Sequence, residues 1–217
     1  SSGMHQGRWK KSASGAHEIR GRTLGILGYG HIGAQVSILA EAMGMRVLYH
    51  DHQPKLPLGN AIQVDSLDTL LQVSDVLTIH VPDTPLTQNL IDADAISKMK
   101  SNAFLLNNAR GSIVDLGALA VALRTGHLRG AAIDVFPEEP SENDSSFGHE
   151  LCGIENVILT PHIGGSTHEA QENIARDVAE KMAKFLTTGS TVGAVNLPEV
   201  ALRDRPDQLR ILHIHRN

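Results

Sequence analysis

The sequence predicts an α/β fold, in which a doubly wound parallel sheet carries helices on both faces. Short aliphatic runs alternate with segments of helical periodicity along most of the chain, which is the pattern of a parallel sheet flanked by helices. The runs consist almost entirely of Val, Ile, Leu and Ala, as expected for strands that are buried on both sides. With 217 residues, of which 41% are hydrophobic, the chain is large enough for one substantial domain.

The predicted strands share this aliphatic character and comprise residues 23–27, 47–49, 76–79, 103–106, 131–135 and 157–159. The first predicted helix carries apolar residues at helical spacing, at Ile32, Val36, Leu39, Ala40 and Met43, and Gly44 ends it. A second, short helix contains Leu67, Leu70 and Leu71, with Ser66 as its N-cap. The polar cap and the periodic apolar face together predict that this segment is helical.

Two further helices are predicted from their caps. Asp115 caps a helix that has Gly126 just beyond its end. Its apolar face consists of Leu116, Leu119, Ala120 and Leu123. Ser166 and Glu169 have the spacing of a capping box at the start of the last helix. The apolar side of that helix carries Ile174, Val178, Met182 and Phe185.

Residues 28–33 (Gly-Tyr-Gly-His-Ile-Gly) match the pattern GxGxxG, and they follow a predicted strand and begin a predicted helix. In that context Gly28 permits a tight turn, Gly30 lets the backbone approach a pyrophosphate, and Gly33 allows close packing of helix and strand. The N-terminus of the helix offers unpaired N–H groups to the anion. The motif therefore predicts a dinucleotide-binding fold of the Rossmann type.

Asp51 follows the second predicted strand, 18 residues after Gly33. At this position a carboxylate accepts hydrogen bonds from the adenosine ribose. The 2′-phosphate of NADP would place a second negative charge beside it, at a cost on the order of 4 kcal/mol for unit charges about 4 Å apart at an effective dielectric of 20. No Arg adjoins Asp51 in sequence, although His50 and His52 could soften the repulsion. The expected cofactor is therefore NAD.

Three polar residues, Arg110, Glu139 and His162, each follow the end of a predicted strand. The carboxyl ends of parallel strands line one crevice, so these residues are expected to meet at the edge that also carries the glycine loop. His suits the removal of a hydroxyl proton, a carboxylate can orient it, and an Arg suits a substrate carboxylate. Each residue alone could be a solvated loop or packing residue. Together they predict the oxidation of a 2-hydroxy acid.

The composition argues against several other functions. The net charge is −5, which disfavours nucleic-acid binding because that requires a basic face. The 12 His are scattered without metal-ligand spacing, so no metal site is expected. A single cysteine, Cys152, the lack of an apolar run near 20 residues and the lack of a signal-peptide pattern predict a cytoplasmic protein without a membrane segment.

Several motifs, taken together, resemble the D-2-hydroxy-acid dehydrogenase family, and within it the enzymes that oxidise 3-phospho-D-glycerate. They are residues 24–33, Asn107-Asn108-Ala109-Arg110-Gly111, Asp134-Val135-Phe136, Glu139-Pro140 and residues 160–167. The resemblance runs from about Gly7 to the end of the chain. It implies a Rossmann fold and the NAD-dependent conversion of 3-phospho-D-glycerate to 3-phosphohydroxypyruvate, the first committed step of L-serine biosynthesis.

The resemblance also implies roles for individual residues. Arg110, Glu139 and His162 correspond to the catalytic residues of the family. The cofactor contacts correspond to Gly28, Gly30, His31, Ile32, Gly33, Asp51, His80, Val81, Pro82, Asn108, Ala109, Arg110, Asp134, His162 and Gly165. Substrate contacts correspond to Arg110, His162 and Gln171. Trp9 is similar to a tryptophan at the subunit interface and Lys11 to a lysine that can reach an active site, so a homo-oligomer formed through this domain is expected.

The resemblance further implies a domain organisation. Residues 1–20 are expected to be a segment from the side of a substrate domain, residues 21–188 the NAD-binding domain, and residues 189–208 a linker. The alternating pattern of 209–215 indicates a strand, so 209–217 are expected to be the start of a regulatory ACT domain. Since most of the family's substrate domain precedes the region matched here, the chain alone is expected to bind NAD but to turn over substrate weakly or not at all.

Two alternatives remain open at this point. Dehydrogenases of the same family that act on glycerate, lactate or formate share the Arg, Glu and His, so the substrate is not decided by these three residues. Related chains also act as NAD-sensing binding proteins without catalysis, and they retain the fold and even the three residues. A purely structural module would leave Asp51 and the glycine loop unexplained.

Overall fold

The structure is a computed structural model that describes residues 2–9, 11–12, 15–143, 146–194, 197–203, 211 and 213. The predicted strand at 209–215 lies outside the described residues except for Ile211 and His213. The described residues divide into two compact units, within Ser1–His162 and Ile163–Asn217. Among the described residues, no helix has both the length and the apolar character required to cross a bilayer.

The first unit is built on a parallel sheet. Its strands are β1 Thr23–Leu27, β2 Arg46–His50, β3 Ile62–Gln63, β4 Val76–Ile79, β5 Phe104–Asn107, β6 Gly130–Ile133 and β7 Val157–Leu159. In the sheet they occur in the order β3-β2-β1-β4-β5-β6-β7. The helices of this unit are α1 Ser2–His5, α2 His31–Ala42, α3 Leu67–Val73, α4 Ala93–Lys98 and α5 Leu116–Arg124. The strand order reverses between β1 and β4, and this reversal creates the crevice in which such sheets bind ligands.

Helices lie on both faces of the sheet, which confirms the predicted fold class. On one face, α3, α4 and α5 pack on a large aliphatic core that includes Leu27 of β1 and Ile79 of β4. On the other face, α2 packs on Leu24 and Ile26, which alternate with Leu27 along β1. The second face is covered less completely, because Ile158 of β7 is 66% exposed.

Helix α2 packs against the sheet through small residues. Its buried positions are Gly33, Ser37 and Ala40, which follow one another at helical spacing and allow the helix backbone to lie close to the strands. The apolar residues from which this helix was predicted are mostly turned outward, since Ile32 is 65% and Leu39 62% exposed. The helix was therefore predicted correctly, but from residues that mostly lie outside its buried face.

The N-caps explain where several helices begin. Ser66 accepts a hydrogen bond from the Thr69 N–H, and Asp115 accepts one from the Ala118 N–H; both caps were predicted. An unpredicted cap, Asp92, begins α4 by accepting the Ala95 N–H. Such caps satisfy N–H groups that have no partner within the helix.

The second unit contains α6, His168–Thr188. The predicted capping residue Ser166 is wrong by one position, because Thr167 is the N-cap and accepts the Ala170 N–H. Ser166 instead donates its own N–H to the Ile163 carbonyl in the preceding turn. The predicted apolar side of α6 is exposed, with Ile174 at 53% and Met182 at 60%.

Candidate active site

The glycine loop joins β1 to α2, and the first of its glycines has no room for a side chain. Gly28 has a φ of +91°, and a Cβ there would lie 2.8 Å from backbone atoms of His80 and from a methyl group of Val81. An L-residue at this position would be both strained and obstructed. Gly28 therefore allows the loop to pass directly over the end of β4.

The other two glycines of the loop differ from each other. A Cβ on Gly33 would lie 2.2 Å from the carbonyl oxygen of Gly28, whereas a Cβ on Gly30 would meet nothing within 4 Å. Gly30 is the N-cap of α2, and no side chain caps the helix. His31 and Ile32, the first two helical residues, are exposed. Open space in front of an uncapped helix N-terminus fits a phosphate group.

Asp51 lies directly after β2 and is joined to the glycine loop. One carboxylate oxygen accepts the Tyr29 N–H at 2.9 Å, and the other accepts the Gln53 N–H at 3.0 Å. The Asp51 side chain is only 8% exposed, and Nδ1 of His52 lies 3.3 Å from it. Each carboxylate oxygen has a second lone pair, so the group can also accept a hydrogen bond from a ribose hydroxyl.

Residues at the end of β4 form the next part of this edge. The His80 N–H donates to the Leu27 carbonyl at 2.7 Å, and Nε2 of His80 lies 3.0 Å from the Thr78 hydroxyl. Burial lowers the pKa of His80, which keeps its ring neutral at pH 7. Val81 is half-buried and Pro82 is exposed beside it.

The loop after β5 is shaped by a fully buried amide side chain. Asn107 is 0% exposed; its Oδ1 accepts the Ala109 N–H at 3.1 Å, and its Nδ2 donates to the Arg110 carbonyl at 2.9 Å. Asn108 is exposed at the tip of this loop, and Ala109 is buried. Both polar ends of the buried amide thus fix the backbone that presents Arg110.

Gly111 brings this loop against the segment that follows β6. A Cβ on Gly111 would lie 2.0 Å from the carbonyl carbon of Phe136, so a larger residue would force the two backbones apart. The exposed side chain of Arg110 directly precedes this contact, and its Nη1 donates to the Ala109 carbonyl at 2.6 Å.

Glu139 and His162 form a hydrogen-bonded pair. Nδ1 of His162 lies 2.8 Å from Oε2 of Glu139, and Oε1 of Glu139 accepts the Phe136 N–H at 3.0 Å. Partial burial acts to raise the pKa of Glu139, but the hydrogen bonds from His162 and Phe136 outweigh it, and the pKa is lowered. The carboxylate is therefore ionised at neutral pH and can accept a hydrogen bond from the Nδ1–H of His162.

The backbone of His162 is itself unusual. Its φ is +53°, in the left-handed region that non-glycine residues rarely occupy and that costs on the order of 1–3 kcal/mol. Such strain occurs mainly where a side chain must be held in a particular place. Here the strained residue is the one whose side chain is hydrogen-bonded to Glu139.

Asp134 and Thr160 follow the adjacent strands β6 and β7. Asp134 is 6% exposed, and its Oδ1 accepts a hydrogen bond from the Thr160 hydroxyl. The Asp134 N–H donates to the Asn107 carbonyl at 3.0 Å. Asp134 is thus bonded to β5 through its backbone N–H and to Thr160 through its carboxylate.

A cavity of about 670 Å³ adjoins the Glu139–His162 pair. Its other lining residues include Phe136, Phe147 and Thr160. The two phenylalanine rings make an edge contact, with centroids 4.7 Å apart. The pair therefore borders a space that is large enough for a small organic acid and is walled in part by aromatic rings.

Two predicted site residues, Gly165 and Gln171, belong to the second unit. Nε2 of Gln171 donates to the Gly165 carbonyl at 2.8 Å, and both residues are exposed. A predicted substrate contact, Gln171, is thus hydrogen-bonded to a predicted cofactor contact, Gly165.

The structure assigns contacts to residues for which the sequence predicted no part in the site. Asn107 and Thr160 were recognised only as members of motifs, and Tyr29 only as a variable position between two glycines. Their position at or just beyond the carboxyl end of a strand was the available signal for all three, since this edge of the sheet collects such residues. The burial of Tyr29 and Asn107 could not be predicted from position alone.

Comparisons with known proteins agree with this geometry. A family model described as D-isomer specific 2-hydroxyacid dehydrogenase, NAD binding domain, matches residues 1–164. The D-3-phosphoglycerate dehydrogenase of Haemophilus influenzae is 55% identical over 214 residues, which are 99% of this chain and 52% of that protein. The enzyme of the same name from Escherichia coli K12 is 54% identical over 213 residues, covering 98% of this chain and 52% of its own length.

A solved structure supports the fold independently. The crystal structure of D-lactate dehydrogenase with NAD+ from Lactobacillus jensenii superposes with a TM-score of 0.74 at 29% identity, and it covers 85% of this chain and 58% of that one. The chain thus spans about half the length of the curated relatives it matches.

Proposed function

Because the chain belongs to the D-isomer specific 2-hydroxyacid dehydrogenase family, as an NAD-binding domain, we propose that it serves the NAD-dependent oxidation of 3-phospho-D-glycerate to 3-phosphohydroxypyruvate. This reaction is the first committed step of L-serine biosynthesis. The observation that carries the proposal is the 2.8 Å bond between His162 and Glu139. The choice of substrate is supported by curated relatives with 54–55% identity that are named for phosphoglycerate.

The residues of the glycine loop fit a dinucleotide. Gly30 faces open space where a Cβ would meet no atom within 4 Å, and the N-terminus of α2 has no side-chain cap. The pyrophosphate would be held there by backbone N–H groups, and Asp51 would accept ribose hydroxyls. When bound, NAD supplies the acceptor for the hydride that leaves the substrate.

The three polar residues divide the remaining work. His162 accepts the hydroxyl proton at Nε2, because Nδ1 is engaged by Glu139. Glu139 fixes the tautomer and stabilises the imidazolium that forms. Arg110 binds the substrate carboxylate through its guanidinium fork. The oxidation is favoured because positive charge on His162 develops beside a carboxylate that is already ionised.

Further parts of the prediction belong to the same proposal. Additional cofactor contacts would come from His80, Val81, Pro82, Asn108, Ala109, Asp134 and Gly165, and a substrate contact from Gln171. The predicted domain boundaries, the homo-oligomer and a cytoplasmic location also stay predictions. The last of these is supported by the single cysteine, which suits a reducing compartment.

Calorimetric titration tests the cofactor. We expect NADH to bind more tightly than NADPH, because a 2′-phosphate would face the Asp51 carboxylate. Asp51→Asn should narrow the difference in affinity between NADH and NADPH, while it keeps an oxygen that can accept a hydrogen bond from one backbone N–H. Equal affinity of the wild-type chain for NADH and NADPH would overturn the assignment of NAD.

A substrate panel tests the reaction. With the protein expressed at the full length encoded by its gene, NADH formation is followed with 3-phospho-D-glycerate, D-glycerate, D-lactate and formate. We expect the phosphorylated acid to give the highest kcat/KM, and Arg110→Lys to lower it roughly tenfold or more by losing the bidentate contact. A higher kcat/KM for any other acid would refute the proposed substrate.

A further inference from the structure

Two tyrosines stack beneath the glycine loop. The ring centroids of Tyr29 and Tyr49 lie 3.8 Å apart with an interplanar angle of 21°, and the residues are 4% and 0% exposed. Tyr29 is the variable residue between Gly28 and Gly30, so the cofactor motif itself contributes a buried ring. Tyr49 lies in β2, two residues before Asp51. The stack therefore joins the two parts of the chain that would flank an adenosine ribose.

The hydroxyl of Tyr29 belongs to a directed series of hydrogen bonds. Ser37 has one hydroxyl proton, and it is donated to the Ala34 carbonyl at 2.7 Å. In the 2.8 Å bond between Tyr29 and Ser37, Tyr29 must therefore be the donor. The Tyr29 oxygen then accepts the Leu58 N–H at 3.1 Å. The series runs from Leu58 through Tyr29 and Ser37 to helix α2.

Both hydroxyls hold the same stretch of backbone, residues 52–60, which we name the ribose-side segment. Tyr49 donates to the Lys55 carbonyl at 2.8 Å, three residues before the Leu58 N–H that Tyr29 accepts. Burial raises the pKa of Tyr49, with further increases from Tyr29 and Asp51, so its hydroxyl stays a donor at neutral pH. The two tyrosines thus bind one carbonyl and one N–H of the segment.

The ribose-side segment has few apolar contacts of its own, since Leu56 is 90% and Leu58 43% exposed. A segment with so little buried apolar surface is ordered mainly by its polar contacts. One of these is the bond from the Asn60 N–H to Glu41 at 2.7 Å. The tyrosine hydroxyls provide two others in the middle of the segment.

The segment begins beside the carboxylate that faces the ribose. Asp51 accepts the N–H groups of Tyr29 and Gln53, so Tyr29 is bonded to Asp51 through its backbone and to the ribose-side segment through its hydroxyl. In this fold the region around the acidic residue distinguishes a ribose hydroxyl from a 2′-phosphate. A displacement of residues 52–58 would therefore alter the surroundings of Asp51 and of the ribose hydroxyl that it would bind.

We propose that Tyr29 and Tyr49 are positioning residues that set the affinity and the NAD preference of the adenosine end by holding the ribose-side segment in place. The proposal deepens the proposed function and rests on NAD binding at this site. Neither ring needs to touch the cofactor. The tyrosines act through the backbone of Lys55 and Leu58.

Removal of single hydroxyls tests the proposal in the 217-residue chain. Tyr29→Phe and Tyr49→Phe keep the stacked rings, and Ser74→Ala is the matched control, because Ser74 is a 0% exposed residue whose hydroxyl donates to the Leu70 carbonyl at 2.5 Å. Ser74 precedes β4 and so lies at the opposite edge of the sheet. Each variant is titrated with NADH, NADPH and ADP-ribose, and amide hydrogen exchange is followed at Leu58.

For Tyr29→Phe we expect the dissociation constants of NADH and ADP-ribose to rise about tenfold. The ratio of the dissociation constant for NADPH to that for NADH should shrink, and the Leu58 amide should exchange faster. Tyr49→Phe should weaken NADH binding severalfold. Ser74→Ala should lower the melting temperature about as much as Tyr29→Phe does, while leaving these affinities and the Leu58 exchange unchanged.

The outcomes separate this proposal from the proposed function. If wild type binds NADH and Tyr29→Phe binds NADH and ADP-ribose equally well, the positioning role is wrong. Unchanged exchange at Leu58 in Tyr29→Phe contradicts it too. If wild type does not bind NADH at all, both the proposed function and the inference that rests on it are overturned.

Discussion

Oε2 of Glu139 lies 2.8 Å from Nδ1 of His162, and Oε1 of the same carboxylate accepts the Phe136 N–H. One side chain therefore joins the loop after β6 to the imidazole after β7. Gly111 brings the Arg110 loop against Phe136, so that an unbroken series of contacts connects three strand ends. The relative positions of the polar residues are thus set by backbone packing as well as by their own bonds.

The first prediction concerns the pH dependence of stability. The pKa of Glu139 is lowered in the folded protein, so its bonds stabilise the fold above the unfolded pKa of about 4.3, and this contribution is lost as the pH falls through the folded pKa. Glu139→Gln should therefore lower the free energy of unfolding at pH 6 and have less effect near pH 3. Urea denaturation at both pH values measures the difference.

Glu138→Gln is the control for this prediction, because Glu138 is the adjacent and exposed carboxylate. It should change the free energy of unfolding by less than about 0.5 kcal/mol at either pH. A Glu139→Gln variant whose destabilisation is the same at pH 6 and pH 3 would show that the ionised pair contributes nothing to folding.

The second prediction separates the roles of two glycines. Gly33→Ala places a Cβ 2.2 Å from a backbone oxygen, so it should destabilise the protein by about 1–3 kcal/mol through overpacking. Gly30→Ala places its Cβ in open space at a φ of −82°, so its stability should stay within about 1 kcal/mol of wild type. NADH affinity should nevertheless fall for Gly30→Ala. Thermal unfolding and NADH titration measure the two effects.

Gly30 provides the more informative result, because its effect should be confined to the ligand. If Gly30→Ala binds NADH as wild type does, the open space in front of α2 is not the phosphate site. A large loss of stability in Gly30→Ala would contradict the open surroundings of that residue.

A third prediction concerns the buried amide of Asn107. Asn107→Ala removes the partners of the Ala109 N–H and the Arg110 carbonyl, which should cost about 1–3 kcal/mol of stability. Hydrogen exchange at the Ala109 amide should also become faster. Asn156→Ala is the control, because Asn156 is exposed and donates to the Arg129 carbonyl. It should leave the exchange at Ala109 unchanged; slower or equal exchange in Asn107→Ala would exclude the loop-shaping role.

Periodicity and capping residues predicted the central strands and the helices around them, because aliphatic strands and polar caps are local signals. The two-residue strand β3 was missed, since Ile62 and Gln63 are both exposed and show no strand-like alternation. Helix α4 was missed because its six residues span less than two turns. Short elements such as these depend on tertiary contacts that the local pattern does not reveal.

The placement of the candidate site residues was predictable where residue type and position coincide. Arg110, Glu139 and His162 follow strands, and the parallel sheet places them at one edge. The left-handed backbone of His162 and the inward position of Tyr29 were not predictable, because neither residue type requires them. Both features arise from packing between segments that are distant in sequence.

The last prediction concerns the opposite edge of the sheet, at Asp75. One oxygen of Asp75 accepts the Thr23 N–H at 2.9 Å, and the other lies 2.7 Å from Nζ of Lys100. Burial acts to raise the pKa of Asp75, but the hydrogen bonds from Lys100 and Thr23 prevail and lower it. Asp75→Asn should cost about 1–2 kcal/mol at pH 7, measured by urea denaturation.

The sign of the pH effect follows from the lowered pKa. The stabilisation by Asp75 is present above its unfolded pKa of about 3.9 and is lost as the pH falls through the folded pKa, so the difference between wild type and Asp75→Asn should shrink between about pH 5 and pH 2. Asp68→Asn is the control, because the Asp68 side chain is 55% exposed in its pair with Lys98 and should contribute less than about 1 kcal/mol. NADH affinity should be unchanged in both variants, since Asp75 directly precedes β4 and Asp68 lies in α3, and neither is among the proposed cofactor contacts. Weaker NADH binding in Asp75→Asn would mean that the two edges of the sheet are coupled, contrary to a site confined to the carboxyl ends of the strands.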